Sequence, residues 1–344
     1  MRILVTGGAG FIGSAFVRHL LAAHPADEVV VFDKLTYAGS LDNLRELEDD
    51  PRYAFVRGDI CDAGAVAAVL DGVDAVVNFA AETHVDRSIT APEDFIRTDV
   101  LGTHVLLEAV RAGGVGRYLQ VSTDEVYGDV ESGSSREGDP LRPSSPYSAS
   151  KAAADLMVLA YRRTFGCPVL ITRSSNNYGP RQYPEKLVPL FVTNLLDGEP
   201  VPVYGDGANV RDWLYVTDNC RAIDLVLRRG ADGEVYNVGG GHELANLDLT
   251  RALLGALGAG DEMIRWVADR AGHDRRYSVD CSRLRALGWT PEVPFDEGLA
   301  RTVAWYRDNR AWWERIKSGE WKRYYARQYG SAAGDETGGG DATA

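Results

Sequence analysis

The sequence predicts an α/β fold, a doubly wound parallel sheet joined to a smaller mixed α/β domain. Three observations carry this. Short apolar runs closed by glycine or aspartate alternate with helical patterns along the first half of the chain. A glycine-rich turn sits between the first run and the first helical segment. Beyond about residue 173 the alternation stops and Pro180, Pro184, Pro189, Pro200, Pro202, Gly205 and Gly207 crowd the sequence. Apolar strands joined by helical crossovers pair in parallel, with helices covering both faces.

Residues 2–6 form the first apolar run, and the amphipathic stretch 14–23 follows as a helix. Further strands are expected at 29–32, 53–56, 75–79, 118–121 and 169–172, with helices over 98–112 and 148–165. The run 235–239 reads as a strand returning to the main sheet, so the two domains interleave. The first takes residues 1–173 plus about 213–240, and the second takes 174–212 plus about 241–330. Residues 331–344, with Gly338-Gly339-Gly340, are small and polar and read as a disordered tail.

With 344 residues, 45% hydrophobic and 25% charged, the chain has ample material for a core. A net charge of −13 argues against nucleic acid as a partner. Cys61, Cys167, Cys220 and Cys281 are scattered without CxxC spacing, which argues against both zinc and a disulfide framework. The N-terminal apolar stretch is too short for a signal peptide and no run of 18 apolar residues occurs, so neither secretion nor a membrane is expected. The expected location is the cytoplasm.

Gly7, Gly10 and Gly13 make a GxxGxxG pattern between the first strand and the first helix. Side chains there would block the tight turn and keep a diphosphate from the backbone amides at the helix N-terminus, so the pattern points to a Rossmann-type dinucleotide site. Asp33, ending the second strand, can accept hydrogen bonds from ribose hydroxyls and repel a 2′-phosphate, which favours NAD over NADP. Lys34 beside it works against that preference, and a plain turn Asp is the competing reading. Asp59 and Ile60 after the third strand can flank the adenine, although most strand-end Asp residues only form turns.

Tyr147 and Lys151 are four apart on a predicted helix and therefore on one face, with Ser145 able to cap it and Pro146 suited to its first turn. A neighbouring ammonium should lower the phenol and let it take a hydroxyl proton during hydride transfer. A solvated helical pair is the alternative. Thr123-Asp124-Glu125 closes the strand at 118–121, at the carboxyl edge of the sheet where ligands bind. Successive residues of a strand face opposite ways, so both acids reach one substrate only if the backbone leaves extended geometry near residue 124. A hydride-transfer enzyme does not need this extra acid and base, which suits a proton abstraction coupled to loss of a leaving group.

These features resemble the extended short-chain dehydrogenase/reductase superfamily and, within it, the dTDP-glucose 4,6-dehydratases, over Met1 to about Trp313. The resemblance rests on residues 5–13, 33–39, 80–88 and 122–128, on Asn176-Asn177-Tyr178-Gly179-Pro180, and on Pro184-Glu185-Lys186-Leu187. It continues in Tyr204-Gly205-Asp206-Gly207, Arg211-Asp212-Trp213 and Gly272-His273-Asp274. It implies that Tyr147, assisted by Lys151 and Thr123, takes the 4-hydroxyl proton while bound NAD accepts the C4 hydride. Glu125 would then remove the C5 proton and Asp124 protonate the departing C6 hydroxyl, before hydride returns to C6. The first domain would be the NAD-binding one and the second would bind the nucleotide sugar.

By the same resemblance Phe11, Ile12, Lys34, Leu35, Thr36, Ala80, Ala81 and Thr98 join Gly7, Gly10, Gly13, Asp33, Asp59, Ile60, Tyr147 and Lys151 around NAD. Thr83 would touch the sugar. Asn176, Lys186, Leu187, Pro202, Tyr204, Arg211, Asn246, Arg270 and His273 would hold the nucleotide of dTDP-glucose. Ala271 stands where the family usually has Pro, which removes a φ restraint beside Arg270. No metal is implied. A homodimer through helices 98–112 and 148–165 is, since both carry apolar residues on more than one face. The rival readings are a nucleotide-sugar 4-epimerase on the same fold and a dinucleotide sensor without catalysis.

Overall fold

The computed structural model describes residues 1–318 and 320–330. The tail expected at 331–344 lies outside the described residues. Seven parallel strands form the main sheet: β1 (Arg2–Thr6), β2 (Glu28–Asp33), β3 (Tyr53–Arg57), β4 (Ala75–Asn78), β5 (Arg117–Thr123), β6 (Val169–Ser174) and β10 (Val235–Val238). Their spatial order is β10-β6-β5-β4-β1-β2-β3, so the direction of strand addition reverses between β1 and β4. That reversal opens a crevice at the carboxyl ends of the strands. The remaining strands are β7 (Asn176–Tyr178), β8 (Val201–Tyr204), β9 (Val210–Tyr215), β11 (Glu243–Ala245) and β12 (Ile264–Val267). They form a β11-β9-β7 sheet and a β12-β8 pair.

Both faces of the main sheet are covered, which is why its strands are nearly continuous apolar runs. In β1, Ile3 and Val5 point into one core layer and Leu4 into the other. Helices α1 (Phe11–Ala23) and α8 (Val216–Arg229) pack on the first layer. Helices α2 (Ala63–Val69), α5 (Thr103–Gly113) and α6 (Pro146–Phe165) pack on the second. Short helices α3 (Val85–Thr90) and α4 (Pro92–Phe95) precede α5. A third core, built on Trp213, Tyr178, Tyr306 and Trp313, joins α7 (Leu187–Leu196), α9 (Asn246–Leu257), α11 (Phe295–Asp308), α12 (Arg310–Ile316) and α13 (Glu320–Tyr329) around the small strands. Helix α10 (Ser282–Ala286) lies against β10. No helix among the described residues is long and apolar enough to cross a membrane.

The helix expected over 98–112 starts earlier. Pro92 opens α4, as its fixed φ allows in a first turn, and the chain runs through a π-helical segment, Ile96–Gly102, into α5. Gly102 leaves room there: a Cβ would lie 2.4 Å from Ile60 Cδ1, so a side chain would force Ile60 to move. Helix α6 begins at Pro146, with Ser145 and Ser148 forming a reciprocal capping box.

One buried ion pair ties the sheet to its cover. Arg173 on β6 donates from Nε to Asp155 Oδ2 on α6 at 2.8 Å, with the side chains 2% and 0% exposed. Its Nη1 donates to the Tyr127 hydroxyl at 2.8 Å, and that hydroxyl donates to Asn237 Oδ1 on β10 at 2.7 Å. Removing one partner leaves a buried charge without compensation. Arg173→Met should therefore lower unfolding free energy by about 3–5 kcal/mol in urea titrations, and adding Asp155→Leu should recover much of the loss.

Candidate active site

The glycine loop leaves β1 in a turn that a side chain would obstruct. Gly7 has φ +66°, and a Cβ on it would sit 2.5 Å from the Ala80 amide after β4; one on Gly13 would sit 2.3 Å from Gly7 O. Gly10 caps α1 in extended geometry with no side-chain cap, so the first amides of α1 point into the crevice without intrahelical partners. Asp33 is buried and accepts from Ala9 N at 3.0 Å and Leu35 N at 2.8 Å, which fixes its carboxylate beside the loop. Lys34 pairs with Asp59 at 3.5 Å, so its charge is drawn toward a carboxylate instead of a ribose phosphate. These features fit an anionic dinucleotide.

From this loop a cavity of about 280 Å³ runs to the end of β5. Gly7, Gly10, Phe11, Ile12, Gly13, Asp33, Lys34, Thr36, Asp59, Ile60, Ala80, Ala81 and Thr98 line one part of it. Thr83, Thr123, Asp124, Glu125, Tyr147, Lys151, Asn176 and Lys186 line the other. Leu35 does not line it; it holds a positive φ of 59° in the turn behind Asp33.

The backbone stays extended through Thr123 and then enters a 3₁₀ turn, Asp124–Tyr127. Thr123 Oγ1 accepts from Glu125 N at 3.3 Å and donates to Asp124 Oδ1 at 3.2 Å. Asp124 is 3% exposed, and its Oδ2 is buried with no hydrogen-bond partner. Burial, then the adjacent Glu125 and Asp212, push its carboxyl well above the usual range. Burial also raises Glu125, but Arg270, Lys186 and Arg211 oppose that rise. Both acids are raised, and the neighbours differ in balance: nearby cations oppose the rise more at Glu125, whereas nearby acids add to it at Asp124.

Tyr147 is buried against Phe95 and hydrogen-bonds to Thr123. The expected lowering by Lys151 is not found. Burial, Glu125 and Asp99 push the phenol well above its ordinary value. Lys151 Nζ donates to Val121 O at 2.8 Å, so helical spacing brings the two side chains to one face without aiming the ammonium at the phenol.

Of the residues expected to hold a nucleotide, Arg270, Tyr204 and His273 cluster around Asp86, and like Arg211 they are not among the residues that line this cavity. Arg270 Nη1 donates to Asp86 Oδ1 at 3.1 Å, the Tyr204 hydroxyl donates to Asp86 Oδ2 at 3.3 Å, and the His273 and Tyr204 ring centroids are 6.0 Å apart. Arg211 donates to Asp274 O at 2.8 Å and stacks 4.1 Å over Tyr277. Lys186 donates to Thr83 O. Leu187 opens α7, Pro202 lies within β8 opposite Arg265, and Asn246 opens α9; none of the three lines the cavity.

Sequence reasoning did not single out several residues that the fold brings here. Glu82 lines the cavity, and burial lifts its carboxyl to about 7. Asp99, raised to about 6 by burial, accepts from Ser150 Oγ at 2.6 Å and Glu82 N at 3.0 Å. Asp86 joins Arg270 to Tyr204. All three adjoin residues already singled out, yet acids in loops or on polar helix starts carry no signal of their own. A His19–His24–Asp224 cluster lies toward the other end of α1, where Asp224 is already paired with Arg228 at 2.6 Å.

Comparison with known proteins gives a consistent set. The family model for GDP-mannose 4,6 dehydratase matches residues 4–302. A dTDP-glucose 4,6-dehydratase from Streptomyces antibioticus is 59% identical over 323 residues, covering 92% of this chain and 96% of that protein. The crystal structure of DesIV, a dTDP-glucose 4,6-dehydratase from Streptomyces venezuelae with NAD bound, superimposes with a TM-score of 0.91 at 60% identity, covering 92% of this chain and all of that one. UDP-glucose 4-epimerase from Thermus thermophilus, complexed with NAD, gives 0.82 at 35% identity over 90% of this chain and 100% of that one.

Proposed function

Because the chain belongs to the GDP-mannose 4,6-dehydratase family, we propose that it dehydrates dTDP-glucose to dTDP-4-keto-6-deoxyglucose, as a lyase that uses NAD and regenerates it each turnover. The observation that carries this reading is the 3₁₀ turn that faces Asp124 and Glu125 into one cavity with Tyr147 and the glycine loop. Bound NAD supplies the two-electron acceptor that stores the C4 hydride until its return at C6.

The side chains divide the proton work. Tyr147, oriented by its hydrogen bond to Thr123, takes the C4 hydroxyl proton. The phenol is lifted by burial, so it is a strong base once ionised. A C4 ketone makes the C5 proton acidic enough for Glu125, whose ionised form is favoured by Arg270, Lys186 and Arg211. Asp124, lifted further, keeps its proton to higher pH than an exposed acid and delivers it to the C6 hydroxyl, which leaves as water. Arg211 and Arg270 suit the diphosphate because a guanidinium donates two parallel hydrogen bonds. Residues 1–173 plus about 213–240 serve NAD, and 174–212 plus about 241–330 serve the nucleotide sugar. Free Cys61, Cys167, Cys220 and Cys281 support a reducing cytoplasm as the working compartment.

A homodimer is supported by the outer surface. Ile89, Ile96 and Leu101 are 46%, 59% and 45% exposed along α3 to the start of α5, and Leu156 and Phe165 of α6 are 58% and 52% exposed. An apolar strip of this kind across two adjacent helical segments fits a second copy of the same strip about a two-fold axis.

Incubating purified protein with dTDP-glucose and no added NAD should yield a product lighter by one water in mass spectrometry; unchanged mass would instead mark an epimerase. Glu125→Gln should oxidise the sugar and stall, so reduced-nicotinamide absorbance builds up in a single turnover, and normal turnover would remove Glu125 as the base. Asp124→Asn should slow water loss by about 10²–10⁴-fold while changing C4 oxidation far less. Leu156→Arg should shift the sedimenting species from dimer toward monomer.

A further inference from the structure

We propose that Arg87 is a positioning residue that retains the cofactor: by stacking on Tyr37 while paired with Glu185, it clamps loop 34–40 over the dinucleotide cavity. The inference rests on the reading that this cavity holds NAD.

Loop 34–40 follows β2 and forms a wall of the cavity through Lys34, Thr36, Ala38 and Gly39. Its base is tied to the glycine loop, since Leu35 N donates to Asp33 Oδ1 at 2.8 Å and Ser40 N donates to Ala9 O at 3.1 Å. Its tip reaches to the opposite half of the molecule. The Arg87 guanidinium lies 3.8 Å from the Tyr37 ring centroid and 4.8 Å from that of Tyr324 in α13. Arg87 Nε donates to Glu185 Oε2 at 2.9 Å, and the Glu185 side chain is 1% exposed. The Tyr37 hydroxyl also hydrogen-bonds to Glu185, and the Tyr183 ring meets Tyr37 edge-on at 5.3 Å.

Glu185 itself lines the cavity, so the clamp bridges the cofactor wall and the sugar wall. The Arg87 side chain is 29% exposed, and a cation partly shielded by two aromatic rings and paired with a buried carboxylate makes a stronger contact than one on the open surface. The chemistry gives this a purpose. A cofactor lost after C4 oxidation would strand a ketone with no hydride to return, so the reaction favours a cavity that opens to the sugar without releasing NAD.

The test measures NAD release from wild type and Arg87→Met, by dilution into an alcohol dehydrogenase and ethanol trap, together with dinucleotide content after denaturation. Release from Arg87→Met should be about tenfold faster or more, with a matching fall in NAD content on purification. Tyr37→Leu should behave in the same way, while Tyr37→Phe, which keeps the ring, should stay close to wild type; the Tyr37 pair carries the test if Arg87→Met does not fold. Release as slow as wild type in Arg87→Met and Tyr37→Leu would overturn the clamp alone. The same holds if release is unchanged and only the urea midpoint falls. Wild-type protein that neither carries nor takes up NAD would overturn the functional reading and the clamp with it.

Discussion

Adjacent side chains on a strand diverge, and the site depends on how this chain escapes that rule. At Thr123 the backbone is still extended; one residue later it is in a 3₁₀ turn. The hydroxyl of Thr123 holds the junction from both sides, accepting from the Glu125 amide and donating to the Asp124 carboxylate. The far end of the turn is fixed by Tyr127, whose hydroxyl sits between the Arg173 guanidinium and the Asn237 amide oxygen. The buried Arg173–Asp155 pair is thus connected to the chemistry. It anchors the turn on which both acids ride through the Tyr127 hydroxyl.

Burial then sets the electrostatics. Asp124, Glu125 and Tyr147 are all moved toward their neutral forms, and neighbours decide how far. Asp124 has Glu125 and Asp212 close by, whereas Glu125 faces Arg270, Lys186 and Arg211. Two chemically similar acids, one peptide bond apart, are both raised, but surroundings from different segments of the chain add to the rise at Asp124 and oppose it at Glu125. Arg270 and Arg211, groups suited to a diphosphate, also favour the ionised form of Glu125.

Much of the architecture was legible in the sequence, because periodicity and glycine placement are local signals. The strands of the main sheet, the glycine turn and the capped start of α6 could be read residue by residue. The break in extended geometry after Thr123 could be inferred as well, from the need to bring two neighbouring acids together. The start of the helix before α5 could not. Pro92, Glu93 and Asp94 carry no apolar periodicity, and the π-helical segment that follows them leaves no pattern of its own. The direction of Lys151 was misread for a related reason: spacing places a side chain on a face, but the carbonyl it meets, Val121 O, belongs to a strand far away in sequence. Asp86, Glu185 and Tyr37 lie in stretches that carry the family resemblance, but the contacts that position them come from distant segments and could not be read from it.

The connectivity of β10 has a mechanical consequence. After β6 the polypeptide leaves the main sheet, builds β7, α7, β8 and β9, and comes back through α8 to pair β10 with β6 before departing again. The two halves are stitched by repeated crossings instead of a single tether, and wide hinge opening would strain every stitch at once. A circular permutation or nick within the 174–234 excursion would loosen the seam without freeing either half.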